Sequence, residues 1–334
     1  KRLANMLAAL LVLMTLMSSC GKFYQGKSVI VKSPDGKIEA VFEIKELETP
    51  YPMGQNMYYS VNYNGKQLLK ESALGLNFGD AGSVMSNLLI MEVKETKGAD
   101  QFDTPLSKQS SVNAEYNEVT IALREKAIPA KTFNLVFRAY NEGVAFRYDF
   151  PEQEPNIKIP SAGHVGFMKD FILTNELTSY VFSEDVSAYA GFVNGFNQNY
   201  EFHYIPVKLS GISRDSTVAM PLVVQFEGGP AVCITEAALE NYPAMYMTGA
   251  RDMENTLVSV LVPLPGEKEN KLIGQMPFRT PWRVLMIADN PGKLIESNLV
   301  LCLNEPSKIA DASWIKPGKA AWDWWSGRLV EGKR

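Results

Sequence analysis

The sequence predicts an all-β protein, a large antiparallel β-sandwich. Three observations carry that prediction. Apolar and polar residues alternate in short runs along most of the chain. Turn dipeptides separate those runs. No long helical period holds before residue 290, and strands do not alternate with helices as a parallel sheet would require.

The elements follow in order. Lys1 and Arg2 open the chain, Leu7 to Leu16 is an apolar run, and Ser18-Ser19-Cys20 follows it, the form of a secretory signal over residues 1–19. The run is too short for a membrane span. Leu16-Met17-Ser18-Ser19-Cys20-Gly21 resembles a bacterial lipobox, although Met17 departs from the usual pattern. Cys20 is therefore the expected lipidation site, the alternative being a plain signal cleaved near Ser19. Residues 20–28 read as the lipidated Cys and a linker. The localisation implied is exported: a periplasmic or outer-membrane lipoprotein of a Gram-negative bacterium, touching the membrane only through its anchor.

Ile38, Ala40, Phe42 and Ile44 fall on one face of a strand. Asn64-Gly65 separates Tyr58–Tyr63 from Lys66–Leu69, a strong hairpin signal because both turn residues tolerate positive φ. Phe133, Leu135, Phe137 and Ala139 alternate up to Asn141-Glu142-Gly143, and Val144, Phe146, Tyr148 and Phe150 alternate after it. One face of this hairpin is aromatic and apolar, as a sheet packed on another sheet requires. Further strands are expected at Leu222–Phe226, Ala231–Thr235, Leu257–Val262, Trp282–Ile287 and Leu299–Leu303, with a short helix at Asn290–Ser297. So many strands in one span suggest a double-sized sandwich over 29–305. After a connecting segment, Lys319–Trp325 reads as a buried strand ending in aromatics. Alone it can cover neither face, so 306–334 is expected to be a linker and the opening strand of a further domain.

Composition sets outer bounds. Apolar residues make up 46% of the 334 and charged residues 21%, enough for a buried core. A net charge of −4 with no Lys/Arg run argues against a nucleic-acid or anionic-membrane binder. Cys233 and Cys302 could pair in an exported chain, but each sits in an apolar run where a buried free thiol is expected. No zinc spacing, P-loop, dinucleotide fingerprint, serine elbow or HExxH motif occurs.

Several segments together resemble glycoside hydrolase family 97. They are Ser33-Pro34-Asp35-Gly36, Asn141–Tyr148, Thr280-Pro281-Trp282-Arg283, Asn304–Asp311 and Trp314–Lys319, all in the family's order. The resemblance implies an N-terminal β-super-sandwich packed on a (β/α)₈ barrel, of which this sequence would hold the sandwich and the first strand of a truncated barrel. It also implies exo-acting cleavage of terminal α-linked galactose or glucose, with calcium as cofactor. The partners implied are an α-linked oligosaccharide or galactoside and the catalytic barrel of the same chain, with no nucleic acid. The catalytic acid and the base or nucleophile would lie in later barrel strands, so no catalytic residue is expected here.

By the same resemblance, Glu201 in Asn199–Tyr204 is the expected calcium ligand, since calcium takes several hard oxygens and an adjoining domain can lend one. Without the resemblance it reads as an exposed loop acid. Asp323, Trp324 and Trp325 would end the first barrel strand, where strand ends line the site; they are expected to bind substrate, or for the tryptophans to pack the barrel core. Ala321–Trp325 looks slightly more like the retaining, α-galactosidase-type branch. His203 is a sugar-contact candidate, although a lone loop histidine is more often a surface residue, and His164 has no evident partner. Arg147 and Arg283 are expected to pair with carboxylates or reach to the surface; Glu236, after an apolar strand, is a candidate for a domain interface but reads more readily otherwise. The rival reading is a stand-alone carbohydrate-binding or structural β-sandwich lipoprotein.

Overall fold

The computed structural model describes residue 24 and residues 26–104, 108–127, 130–153, 157–159, 163–165, 170–197 and 199–320, with backbone alone for 157–159 and 163–165. The expected signal segment, Cys20, Asp323, Trp324 and Trp325 lie outside the described residues. Lys319 and Ala320, the described start of the expected barrel strand, are irregular backbone.

The chain opens with an antiparallel meander of β1 (Ser28–Lys32), β2 (Ile38–Lys45), β3 (Asn56–Tyr63) and β4 (Lys66–Ala73). Asn64 and Gly65 join β3 to β4 at φ 49° and 78°, the primed turn whose twist matches that of the strands. β5 (Leu76–Asn77) and β6 (Ser83–Val84) make a small sheet with β14 (Asn175–Glu176). β7 (Leu88–Asp103) and β8 (Ser111–Glu125) form a long hairpin leading into β9 (Thr132–Tyr140) and β10 (Gly143–Phe150). β11 (Ile157–Ile159) pairs with β12 (Gly163–Val165), which places the His164 backbone opposite Lys158. β13 (Asp170–Leu173) pairs with β23 (Leu272–Gln275).

The remaining strands are β15 (Ser179–Val181), β16 (Ser187–Val193), β17 (Tyr204–Lys208), β18 (Thr217–Val218), β19 (Leu222–Gln225), β20 (Ala231–Ala237), β21 (Met245–Gly249), β22 (Thr256–Leu261), β24 (Phe278–Arg279) and β25 (Trp282–Ala288). With β7–β10 they form one antiparallel sheet of 14 strands. Its order is β15-β22-β21-β18-β16-β19-β20-β25-β10-β9-β8-β7, with β17 beside β16 and β24 beside β10.

The meander packs on one face of this sheet. Phe42 and Tyr59 meet Phe137 and Phe146 at centroid distances of 5.0–6.4 Å. All four rings are buried, each contributing roughly 1.5–3 kcal/mol by leaving water. The alternations at 38–44 and 133–150 are the two inner faces of this sandwich, as expected.

One expected strand is a helix. The apolar run Leu299–Leu303 predicts a strand, but α2 (Leu299–Cys302) follows the single turn α1 (Pro291–Leu294). The buried residues are Leu299, Cys302 and Leu303, while Leu301 is exposed. Burial at i, i+3 and i+4 is helical, whereas a strand would bury 299, 301 and 303 together. α2 lies on the outer face of the large sheet, over Trp282 and Val284. Both described cysteines are free and buried, and burial pushes each thiol up to about 12. Cys233 stands on a strand as expected, and Cys302 on α2.

Candidate functional site: a buried charge cluster behind an aromatic loop

The most polar place inside the sandwich is built on β25. Trp282 and Val284 face outward, so Arg283 points into the core with Leu285 and Ile287. There its Nε and Nη2 donate to Glu176 at 2.8 and 2.6 Å, and its Nη1 donates to Glu236 at 2.5 Å. Arg283 and Glu176 are 1% exposed and Glu236 is 12%. The Thr178 and Tyr242 hydroxyls also donate to Glu176, at 2.8 and 3.1 Å. Burial pushes the Glu176 carboxyl up, but the charge and hydrogen bonds of Arg283 overcome this and hold it below the usual range. At Glu236 burial wins, because Arg283 gives it one donor and the Met245 N–H only long contacts; its pKa is raised.

Glu236, the domain-interface candidate, turns to Arg283 with 12% of its side chain exposed. Arg283 pairs with carboxylates, as expected. Arg147 pairs with none among the described residues and lies over the Trp282 ring, 4.3 Å from its centroid.

Next to Glu236, β21 continues from Met245 to Tyr246, whose hydroxyl shares a short hydrogen bond with that of Tyr200. That bond moors the loop between β16 and β17. Burial raises the Tyr200 phenol, and the hydrogen bond from Tyr246 adds to it. Tyr200 sits at φ 60°, a left-handed conformation that turns the chain sharply. The Asn199 side chain bridges the turn: its Nδ2 donates to Glu201 Oε2 at 2.9 Å, and its Oδ1 accepts from the Glu201 N–H at 3.1 Å. Phe202 lies between the rings of Tyr200 and Tyr204, at 5.5 and 5.6 Å. It covers Gly191 so closely that any β-carbon there would strike the ring. Glu201 and His203 are exposed on this loop, side by side with half-exposed Tyr200 and Tyr204. The loop thus presents one carboxylate, one imidazole and two half-exposed tyrosine rings to solvent. Among the described residues no group of three or more His, Cys, Asp or Glu comes together as a metal cage.

Residues 31–306 match the family description "Glycosyl-hydrolase 97 N-terminal". The chain belongs to glycoside hydrolase family 97. A retaining alpha-galactosidase of Bacteroides thetaiotaomicron is 29% identical over 332 residues, which are 92% of this chain and 45% of that protein. A probable retaining alpha-galactosidase of Streptomyces bingchenggensis is 25% identical over 275 residues, 82% of this chain and 38% of that one. A family 97 enzyme of Pseudoalteromonas sp. strain K8, solved in complex with acarbose, superposes with a TM-score of 0.74 at 28% identity, covering 87% of this chain and 40% of its own. The chain therefore spans less than half the length of these relatives.

Of the expected site residues, the fold brings Glu201 and His203 together on one loop. Glu176, Tyr242, Tyr246 and the Arg147–Trp282 stack were not anticipated. Glu176 lies in a two-residue strand with no periodic pattern, and its partner Arg283 is 107 positions away. The clue in the sequence was Arg283 itself, a charge in the middle of the apolar strand Trp282–Ala288.

Proposed function

We propose that this chain is the N-terminal β-sandwich of an exo-acting α-glycosidase that releases terminal α-linked galactose or glucose. The sandwich forms one wall of the sugar pocket, with the loop around Glu201 as its contribution. The observation that carries this reading is the family 97 match over the whole sandwich, 31–306. Galactose is the first choice of sugar, because two relatives matched along most of this chain are named retaining alpha-galactosidases.

Calcium fits Glu201 as one donor among several. The carboxylate is exposed, accepts a single side-chain hydrogen bond, from Asn199, and forms no ion pair with a described residue. Hard cations of this size take six to eight oxygens, so one carboxylate completes a site and does not make one. Bound there, calcium would supply positive charge beside the sugar. The sandwich's own share is to hold Glu201 in place through Asn199 and the Tyr200–Tyr246 bond, with His203 facing the sugar. Asp323, Trp324 and Trp325 belong to the same reading as sugar contacts. Cys20 belongs to it as the lipid anchor of an exported envelope protein.

The test is the longer polypeptide read from the gene beyond residue 334, assayed on p-nitrophenyl α-galactoside and α-glucoside. Glu201→Ala should weaken calcium binding by about tenfold or more, measured calorimetrically, and lower turnover with it. Unchanged calcium affinity together with unchanged turnover would remove Glu201 from the site.

A further inference from the structure

The buried charge cluster and the aromatic loop are joined by one short strand. β21 pairs with β22 along its whole length, but β18 reaches it at Met247 alone. Val262 donates to the Ala244 carbonyl, so in the alternation of an antiparallel ladder the Met245 N–H points away from β22. Past the end of β18 that N–H meets the Glu236 carboxylate, 3.4 Å from Oε1 and 3.3 Å from Oε2. Oε2 also holds Arg283. Just before Met245 in the chain, Tyr242 is bonded to Glu176. The cluster thus fixes the start of β21 through both acids. The next residue, Tyr246, is 2% exposed and anchors the loop that carries Glu201. Its hydroxyl bonds that of Tyr200, and the Phe196 ring meets it edge-on at 5.1 Å.

A proton on Glu236 goes to Oε1, since Arg283 engages Oε2. There it faces the Met245 N–H, donor against donor, and the two compete for one place. Burial raises the Glu236 pKa, while Arg283 and the Met245 N–H both favour the charged form. Linkage is reciprocal, so a proton on Glu236 weakens the hold on Met245 by the same factor. The charged and titratable groups around Glu236 are Arg283 on β25, Glu176 on β14, Tyr180 on β15, Tyr242 ahead of β21, Tyr246 on β21 and Tyr200 on the loop. Burial raises the phenols of Tyr180, Tyr200 and Tyr242. At Tyr200 the Tyr246 bond and the Glu236 charge add to that rise. Arg283 overcomes burial at Glu176 and holds it below the usual range. Between about pH 5 and 8, Glu236 is therefore the member of the cluster whose charge changes.

We infer that Glu236 is a proton-operated catch for the Glu201 loop. Charged, it holds Met245, and through Tyr246 it keeps the loop in place; protonated, it lets the start of β21 and the loop work loose. Glu236 is thus a positioning residue, acting on Glu201 through Tyr246 and Tyr200. Its consequence for calcium rests on the reading of Glu201 as a ligand: a loosened loop presents that carboxylate less often, and calcium binding weakens toward acid pH. Overall stability runs the other way, since the folded state binds the Glu236 proton more tightly than the unfolded one.

The experiment is hydrogen exchange of amides 199–204 in the longer polypeptide, freed of calcium, from pH 5 to pH 8 and corrected for the intrinsic rate at each pH. His203→Gln is the background, which removes the imidazole of the loop. Exchange should rise about three- to tenfold from pH 8 to pH 5. Glu236→Gln, uncharged at every pH, should exchange at the acid rate throughout. Tyr246→Phe should do the same while the β9–β10 amides stay protected, and it tests the path even if Glu236→Gln unfolds. A loop that merely followed global stability would tighten toward pH 5, and that result would overturn the inference. So would a Glu236→Gln profile parallel to that of the background protein, or a pH dependence that survives in Tyr246→Phe. Calcium affinity, measured by calorimetry on the same proteins, separates the two readings. Loop exchange that follows Glu236, with calcium binding absent or indifferent to Glu236→Gln, would defeat the reading of Glu201 as a ligand and leave the catch standing.

Discussion

Arg283 keeps its charge with 1% of its side chain exposed, and two carboxylates compete for it. Glu176 takes the bidentate share and Glu236 the single bond. Removing one partner of such a cluster leaves a buried charge with nothing to offset it. Arg283→Met should therefore cost on the order of 3–5 kcal/mol, read from urea unfolding followed by circular dichroism; a cost near zero would mean that the cluster is solvated in solution. The two acids also give opposite pH dependences. Glu176 has its folded pKa depressed, so its contribution is present above the unfolded carboxyl value and is lost as pH falls. Glu236 has its folded pKa raised. The folded state then binds the proton more tightly, and stability is lost as pH climbs from the unfolded value through the raised one. Glu236→Gln should abolish that descending limb and leave the acid limb of Glu176 intact. Unfolding free energies measured from pH 4 to pH 8 decide it: parallel curves for the two proteins would rule out Glu236 as the titrating group.

At the scale of elements, the β9–β10 hairpin depends on one close approach. Gly143 pairs with Tyr140 on one side and Met286 on the other, and a β-carbon there would run into the Leu285 carbonyl oxygen. The adjoining turn residue Glu142 also accepts from the Ser297 hydroxyl at 2.6 Å and the Asn298 N–H at 2.8 Å, fixing the start of α2. Gly143→Ala should thus cost roughly 1–3 kcal/mol through strain, seen as a lowered urea midpoint at unchanged slope. The same hairpin shows what was legible beforehand. Period-two alternation on both sides of Asn141-Glu142 named the strands, the turn and the inner face together, because the inner face is uniformly apolar while the outer one carries Asn134, Arg138, Arg147 and Asp149 among its residues. β7 gave no such signal, since most of it beyond Ile90 is exposed or half-exposed on both faces, whereas β8 alternates at Val119, Ile121 and Leu123 in its second half. Leu299–Leu303 misled because five mostly apolar residues fit a strand or a helix equally well; only packing on Trp282 and Val284 decides between them. Glu201 and His203 were visible only through family resemblance, because their neighbours Tyr200 and Asn199 form a local turn that no periodic pattern announces.

For the molecule as a whole, the fold bears on whether this chain can carry the chemistry alone. Glycoside hydrolysis needs two carboxyls on opposite sides of one bond, with one kept protonated to serve as the acid. Among the described residues the carboxyl with a raised pKa is Glu236. It is bonded to Arg283 inside the sandwich, on the same strand face as the core residues Val232 and Ile234. Its carboxylate is taken up by Arg283 and the Met245 N–H, with 12% of the side chain exposed. Glu201 is accessible, and its side-chain hydrogen-bond partner among the described residues is the Asn199 amide, not a second acid. The 334-residue chain should therefore fold and yet release no p-nitrophenol from p-nitrophenyl α-galactoside or α-glucoside, with or without calcium. Turnover by the purified chain that disappears in Glu201→Gln would place a complete acid pair within the sandwich. It would also overturn the division of labour proposed for the two domains. Turnover that persists in that variant would point to residues outside the loop, and Glu236→Gln would be the next substitution to make.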